Sequence, residues 1–231
     1  MKEIATLSIR IRPVRPDPAD SRRYAGLSAN ERRAGRRARL LEAGLEFYGT
    51  IGFRHTTIPQ LCSSAGVTAR HFYEEFGTQE QLLRAVFDGI ASDLLAAIRY
   101  ELWVPGRTWN EIVRQGCAAY FRHMTEDRRR ARLFALEVVG ISIEFDLHRK
   151  RVRDAFAGLT SESSERLVAQ GGATGLDVRV LSVALAGAAE ALTIEWVLGR
   201  PQPSVDELIE QLSMIWIRAM QIDRFDPALA P

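Results

Sequence analysis

The stretch Thr57-Ile-Pro-Gln-Leu-Cys-Ser-Ser-Ala-Gly-Val-Thr-Ala-Arg-His-Phe-Tyr73 is typical of two very short helices joined by a tight turn. Thr57 can cap the first helix, and Pro59 falls in its first turn, where backbone N–H groups lack helical partners in any case. Gly66 suits a left-handed turn that ends this helix, and Thr68 can cap the second. The pattern predicts a helix-turn-helix, in which the first helix braces a second that reads the major groove of DNA.

The second helix of this pair carries the residues that we expect to meet DNA. Four apolar residues are spaced to pack the pair against an earlier helix: Ile58, Leu61, Val67 and Phe72. This packing leaves five residues more exposed: Thr68, Ala69, Arg70, His71 and Tyr73. Arg70 has the donor fork that pairs with guanine or holds a phosphate, and the hydroxyls of Thr57, Thr68 and Tyr73 can bind phosphate oxygens. The alternative is that Arg70 and His71 are ordinary solvated residues.

The flanking sequence is helical almost throughout. Capping boxes at Ser28–Glu31 and Thr78–Gln81 predict the starts of a helix before the pair and of a longer one after it. Gly49 and Gly52 are expected to end the first of these. Further helices are predicted near residues 108–124, 127–142, 144–170, 177–199 and 204–222, with no useful run of strand alternation. The sequence therefore predicts an all-α protein.

Composition and charge narrow the class of protein. The 231 residues are 46% hydrophobic, which is enough for a substantial core. Residues 1–40 carry a net charge of +7 and the remainder −5, so a polyanion is expected at the N-terminal end only. Cys62 and Cys117 have neither disulfide-framework nor metal-ligand spacing. With no signal region, no membrane span and no catalytic motif in the sequence, we expect a cytoplasmic protein that is not an enzyme and has no cofactor.

Residues 31–90 resemble the N-terminal domain of the TetR family of bacterial transcriptional regulators. The resemblance rests on four segments: Gly52-Phe-Arg-His-Thr-Thr-Ile58, Ala65-Gly-Val-Thr68, His71-Phe-Tyr-Glu-Glu-Phe76 and Glu80-Gln-Leu-Leu83. It implies that Thr57 and Tyr73 contact phosphates, and that Thr68, Arg70 and His71 contact bases or backbone. Gln79 stands where the family usually has lysine, so one phosphate contact is expected to be missing. Cys62 replaces a usual alanine; we expect it to be a small buried residue, and a redox sensor is the alternative.

The resemblance also implies a division into domains. We expect a basic, disordered arm over residues 1–27, a helix-turn-helix domain over 28–77, and a larger helical domain for ligand binding and dimerisation over 78–231. Arg36 and Arg37, on the helix before the pair, are expected to contact phosphates, with a solvated face as the alternative. The arm can either reach along the DNA or stay disordered.

The last two predicted helices resemble the family's final helix pair, which implies a homodimer. Val178–Leu198 is apolar almost all round and carries small residues that allow close helix approach. The expected interface residues are Leu181, Ala184, Ala188, Ala191, Leu212 and Trp216. The alternative is that both helices are ordinary monomer core.

The middle helices are implied to enclose a pocket for a small-molecule effector. The candidate lining residues are Trp103, Trp109, Phe121, Phe134, Glu137, Phe145 and Trp196, and core packing is the alternative for each aromatic. Glu137, Glu190 and Glu195 are acids within apolar patterns, so one of them can face a polar or cationic ligand. The alternative for each is a partly exposed or interface acid.

The sequence therefore favours a homodimeric, ligand-responsive transcriptional repressor that binds a palindromic operator in double-stranded DNA. In this hypothesis the effector tilts the fourth helix and moves the two reading helices apart. The alternative is a helical protein-interaction module whose DNA-binding domain is weakened, as the substitution at Gln79 would allow.

Overall fold

The computed structural model describes residues 28–170, 176–199 and 201–221. The expected arm over residues 1–27 lies outside these ranges, and so do residues 171–175, between the helices predicted near 144–170 and 177–199. Within them the chain forms nine α-helices and no strand, so the all-α prediction is confirmed. The helices are α1 (Ala29–Thr50), α2 (Ile58–Ala65), α3 (Ala69–Phe76), α4 (Gln79–Leu102), α5 (Trp109–Glu126), α6 (Arg128–Arg132), α7 (Ile143–Ala169), α8 (Val178–Leu198) and α9 (Val205–Ala219).

Local side-chain hydrogen bonds set the start of most helices. The Ser28 hydroxyl accepts the Glu31 N–H at 3.2 Å, and Glu31 Oε2 accepts the Ser28 N–H at 2.7 Å, which confirms the predicted capping box. The same exchange lowers the pKa of Glu31, chiefly through the backbone hydrogen bond from Ser28. At Thr78 only half of the predicted box forms: its hydroxyl accepts the Gln81 N–H at 3.1 Å.

The helix predicted near residues 127–142 is shorter and less regular than expected. After α6 the chain widens into a single π-helical turn, Leu133–Glu137, and then leaves helical geometry. Gly140 adopts φ +66°, a left-handed conformation that favours glycine and ends the segment. The Ser142 hydroxyl then caps α7 by accepting the Phe145 N–H at 3.1 Å.

Helices α2, α3 and α4 pack around α1. Leu40 and Tyr48 on α1, Leu61 on α2, Phe72 on α3 and Leu82 on α4 are all fully buried in one contiguous core. A short 3₁₀ turn, Phe53–His55, links α1 to α2. Because α2 and α3 are only eight residues long, this burial rather than helix propensity holds them in place.

The remaining helices form a larger bundle in which α4 packs on α5, α7 on α8, and α9 on α5. Val178–Leu198 (α8) is long and apolar enough to cross a membrane by length and composition alone. In the fold one side of α8 packs on α7 and α9. A core helix of a soluble protein can have the same length and apolar composition.

The close contact between Gly49 on α1 and Arg129 on α6 predicts how a substitution at Gly49 changes the stability of the protein. A Cβ atom at Gly49 would lie 2.5 Å from the Cβ and 2.8 Å from the Cα of Arg129, whereas one at the exposed Gly89 of α4 would meet nothing within 4 Å. We expect Gly49→Ala to lower the free energy of unfolding by about 1–3 kcal/mol, as overpacking does. Gly89→Ala, the matched control, should raise it by about 0.5–1 kcal/mol. Urea unfolding followed by circular dichroism measures both, and an unchanged or more stable Gly49→Ala protein would contradict the close approach.

Candidate functional site

Helix α3 presents one apolar side to the core and one polar side to solvent. Phe72 and Phe76 are buried, whereas Ala69, Arg70 and Tyr73 are exposed. The Thr68 hydroxyl caps the helix by accepting the His71 N–H at 3.3 Å, and it lies 3.1 Å from His71 Nδ1. His71 is therefore half-buried against its own cap, while the other four predicted reading residues face outward.

Arg70 is the most accessible cation of this helix. Its side chain is 86% exposed, and its Nε donates to Glu74 Oε1 at 2.9 Å, one turn further along. This hydrogen bond lowers the pKa of Glu74. An exposed pair of this kind is weak, so a guanine or a phosphate can compete with Glu74 for the guanidinium.

Glu75 ties the arginines of α1 to α3. Its side chain is 2% exposed, and it accepts hydrogen bonds from Arg33 Nε at 3.1 and 3.2 Å, with Arg36 Nη2 at 3.9 Å. Arg37 donates to the Glu75 carbonyl at 3.5 Å, and its guanidinium lies 4.4 Å from the centre of the Phe76 ring. The sequence assigned Arg36 and Arg37 to phosphates, but in this structure both hold α1 and α3 together.

Gln79 has a structural role that the sequence did not suggest. Its Nε2 donates to the carbonyl oxygens of Phe53 at 3.1 Å and Thr56 at 2.9 Å. The side chain thus joins the start of α4 to the turn that precedes α2. The brace helix itself begins as predicted, since Thr57 and Gln60 form a capping box and the Thr57 N–H donates to Gln60 Oε1 at 2.8 Å.

Cys62, on α2, lies in the hydrophobic core. It is buried, and burial raises the pKa of its thiol. This environment fits the expected small apolar residue and disfavours the thiolate that a redox sensor needs.

Glu137 connects the larger bundle to the same turn. Its Oε2 accepts the Phe53 N–H at 3.1 Å, and its Oε1 accepts Arg132 Nε at 3.0 Å. Gly52 has φ +94°, and a Cβ there would lie 2.6 Å from Glu137 Oε2, so the close approach requires glycine. Glu137 was predicted to line a pocket; at the end of the π-helical turn its carboxylate is instead occupied by the α1–α2 connection.

The bundle encloses a cavity of about 70 Å³ between α4, α5, α7, α8 and α9. Its wall is mainly apolar and includes Phe87, Phe134, Phe156, Leu185, Leu212 and Trp216. Its three charged residues form one cluster, in which Arg149 Nη2 lies 2.8 Å from Glu190 Oε1 and Arg153 Nε 3.3 Å from Glu190 Oε2. Cys117 also lines the cavity, and burial raises the pKa of its thiol to about 11.

Among the seven predicted lining residues, only Phe134 lines this cavity. Trp109, Phe121 and Phe145 fill the hydrophobic core. Trp196 lies under the Arg128 guanidinium, and Trp103 lines a separate surface depression with Tyr100. Helical spacing marks the side chains that face inward, but it does not distinguish those that fill the core from those beside a void. Arg149 and Arg153 were missed because their spacing is equally typical of a solvated face.

The predicted dimer residues divide into two groups. Leu181, Leu212 and Trp216 are buried within the protomer, and the last two line the cavity, so these three do not offer exposed surface to a partner. Ala184 and Ala191 are exposed on α8, and Ala188 is half-buried. Apolar periodicity correctly predicted both helices. It did not distinguish the side that packs within the protomer from the side that is left exposed.

Residues 40–86 match the family model described as "Bacterial regulatory proteins, tetR family", and this segment holds α2, α3 and the turn fixed by Gln79 and Glu137. The N-terminal domain therefore matches that of TetR-family transcriptional regulators. Its helix-turn-helix is thus α2 and α3, with α1 as support. No match was found among curated proteins.

Solved TetR-type structures share the fold over 78–80% of this chain. FadR from Bacillus halodurans, a fatty acid degradation regulator, is 17% identical with a TM-score of 0.72, over 78% of this chain and 93% of that one. FadR from Bacillus subtilis, solved in complex with stearoyl-CoA, is 16% identical with a TM-score of 0.72, over 79% and 98%. A tetR-family regulatory protein from Rhodococcus RHA1 is 18% identical with a TM-score of 0.67, over 80% and 96%. At these identities the likeness concerns the fold alone.

The tie made by Gln79 is testable with an isosteric change. Gln79→Glu removes both N–H donors and places a carboxylate against the carbonyls of Phe53 and Thr56. We expect a loss of about 1–3 kcal/mol in the free energy of unfolding, because two buried acceptors lose their partner. Gln81→Glu, exposed in the same first turn of α4, is the control and should be neutral or slightly stabilising at a helix N-terminus. Thermal unfolding of the two variants compares them, and equal melting temperatures would show that the tie is unimportant.

Proposed function

We propose that this TetR-family protein is a homodimeric, cytoplasmic repressor that binds a palindromic operator and is released from it by a small-molecule effector. The observation that carries the proposal is the braced helix α3, whose buried side is fixed by Phe72 and Phe76 while Arg70 and Tyr73 point to solvent. In a helix-turn-helix this is the geometry that carries side chains to base edges. In this proposal residues 28–77 read DNA, and residues 78–231 bind the effector and the second subunit.

We assign DNA contact to the first turns of α3 and to the start of α2. Arg70 exchanges Glu74 for a guanine edge or a phosphate. Thr68, Ala69 and His71 lie at the N-terminus of α3, where free N–H groups and the capping side chain can contact the DNA backbone. Tyr73 and Thr57 supply hydroxyls to phosphates. Arg36 and Arg37 reach a phosphate only by leaving Glu75 and Phe76, so we give them a secondary role.

Exposed apolar side chains on the last helices support the dimer. Val180, Val183 and Leu198 on α8 and Ile215 on α9 are exposed in the protomer, and Ala184 and Ala191 lie among them on α8. A monomer rarely leaves such a surface open to water, and a two-fold axis allows the same patch to cover itself. A dimer also supplies two reading helices for half-sites about 34–36 Å apart.

The effector cavity lies beside the elements that hold the reading domain. Its volume of about 70 Å³ is far below the roughly 300–1,000 Å³ of ordinary ligand sites, so an effector must move the surrounding helices apart. Phe87 of α4 stacks on Phe134 of the π-helical turn, with ring centres 4.8 Å apart, and both line the cavity. Three residues after Phe134, Glu137 holds the Phe53 N–H, so a displaced π-helical turn pulls on the connection that enters the brace helix.

The likeness to the Bacillus subtilis FadR fold supports an effector with a long aliphatic chain, since that protein was solved with stearoyl-CoA. The rival proposal is a helical protein-interaction module with a weakened DNA-binding domain. Its support was the loss of a phosphate contact at Gln79. However, the two hydrogen bonds of Gln79 keep the turn before α2 in place, which favours a working reader.

The role of Arg70 is testable by gel shift. A DNA site is first selected from a random library with the full-length protein, and Arg70→Ala is then compared with Arg122→Ala, which removes an exposed arginine from α5. We expect Arg70→Ala to weaken binding to the selected site by about tenfold to a hundredfold, the usual worth of a base or phosphate contact. Arg122→Ala should bind as the wild type does. Equal affinity of the wild type for the selected site and for random DNA, at two salt concentrations, would contradict sequence-specific binding.

The dimer surface is testable by sedimentation. Ala184 is exposed in the protomer, so Ala184→Glu should leave the fold intact while placing a carboxylate, and its two-fold copy, in the proposed interface. We expect the dissociation constant of the dimer to rise by about a hundredfold or more, because unpaired charges in an interface are strongly disfavoured. Ala155→Glu on the exposed side of α7 adds the same charge elsewhere and should leave the dimer unchanged. A dimer of wild-type strength in Ala184→Glu would exclude this surface.

A further inference from the structure

We infer that the cavity binds an amphiphile with one aliphatic tail and one anionic head group, and that Arg149 and Arg153 hold the head group in the place now taken by Glu190. This inference rests on the effector site of the proposed function and specifies its ligand. It starts from the three charged side chains of the cavity wall, which contact one another within an otherwise largely apolar lining.

The charged cluster is built into the wall. Arg149 and Arg153 are one turn apart on α7, and Phe156 and Thr160 continue the same lining face of that helix. The side chains of Arg149 and Glu190 are 12% and 20% exposed, and that of Arg153 is 43% exposed. The head group would thus meet one deeply placed guanidinium and a second that reaches toward solvent.

The charge balance favours an anion. Among the lining residues two cations face one carboxylate, and Asp146, which lies 3.6 Å from Arg149, is half-exposed and does not line the cavity. An anionic group placed in a poorly hydrated site needs paired cations, and the lining brings two guanidinium groups together here. A cationic head group would meet two guanidinium groups for a single carboxylate. Of the polar or cationic ligand that the sequence allowed opposite one of its acids, the inference therefore rejects the cationic option for Glu190.

The rest of the wall fits a tail without a second polar group. Phe87, Phe134, Leu185, Leu212 and Trp216 supply apolar surface. The buried Tyr120 hydroxyl is already hydrogen-bonded to the Thr193 hydroxyl at 3.2 Å. Burial of an aliphatic chain against these side chains is favourable in proportion to the area removed from water.

Glu190 acts as an internal competitor for the head group. It lies on α8 and satisfies two arginines of α7 while the cavity is small. A ligand carboxylate, sulfate or phosphate that replaces it breaks the ion pairs between α7 and α8. The same exchange that binds the head group thus loosens the two helices that must separate to admit the tail.

The experiment measures binding of dodecanoate, dodecanol and dodecylammonium to the full-length protein by isothermal titration calorimetry, below the concentrations at which these probes aggregate. We expect dodecanoate to bind about tenfold tighter than dodecanol, the worth of a charge-assisted hydrogen bond, and dodecylammonium to bind weakest. Dodecyl phosphate and dodecanoyl-CoA then distinguish a simple head group from a larger phosphate-bearing one. Dodecanoate binding no tighter than dodecanol, or tighter binding of dodecylammonium, overturns the inference.

Two charge variants show whether the cluster prefers an anionic or a cationic head group. Glu190→Gln removes the competitor and should tighten dodecanoate binding several-fold, whereas it would weaken the binding of a cationic ligand. Arg153→Gln should weaken dodecanoate binding by about tenfold and leave dodecanol unchanged. Arg151→Gln makes the same charge change at an exposed position of α7 that does not line the cavity, and it should have no effect. Equal weakening by Arg151→Gln and Arg153→Gln would reduce the effect to net charge and overturn the inference.

A parallel gel shift with the selected DNA site separates the two proposals. If dodecanol and dodecanoate bind equally and both release DNA, the head-group site is wrong and the regulator proposal stands. If dodecanoate is preferred as expected but no DNA site can be selected, the head-group site stands and the proposed function is wrong.

Discussion

The hydrogen bond from the Phe53 N–H to the Glu137 carboxylate joins the two halves of the molecule. On the opposite side of the same turn, Gln79 donates to the carbonyls of Phe53 and Thr56. The connection between α1 and α2 thus has its backbone groups satisfied by side chains from the π-helical turn and from α4. Because buried backbone groups must keep partners, the position of the brace helix follows the position of those two elements.

A second set of contacts makes this linkage stiff. Arg129 on α6 bonds to Asp127 at 2.7 Å and to Glu46 on α1 at 2.6 Å, and Gly49 lets the two helices touch. Glu75, through Arg33, then fixes α3 to the same α1. A shift of the π-helical turn is therefore expected to move the reading helix as part of a rigid unit rather than to bend it, which is how packed elements respond to strain.

The parts of this structure that the sequence predicted are those that depend on neighbours three or four residues apart. Caps at Ser28 and Thr57 and the turn at Gly66 involve only local atoms, so the starts of α1 and α2, the turn into α3 and the exposed side of α3 followed directly. The end of α1 did not, because the helix runs through Gly49, which was expected to end it, to Thr50. The contacts of Gln79 and Glu137 join residues distant in the chain, and no periodicity encodes them. The cavity was missed for a related reason: Phe134 beside it and Phe121 in the core have the same spacing and the same chemistry.

The position of α8 between the cavity and the proposed dimer surface explains why its sequence is apolar on almost every side. Leu185 and Trp216 face the cavity, whereas Val183 and Ile215 are exposed on the surface of the proposed dimer. An effector and the second subunit would therefore meet the same two helices from opposite sides. Because packed side chains cannot be compressed, enlarging the cavity must displace one or more of the elements around it, among them α7, the π-helical turn and the helices of the proposed dimer surface. In the proposed dimer, each of these displacements changes the distance between the two reading helices. The exchange of Glu190 for a ligand anion weakens the α7–α8 contact and so directs the displacement toward α7 and the π-helical turn that holds Phe53.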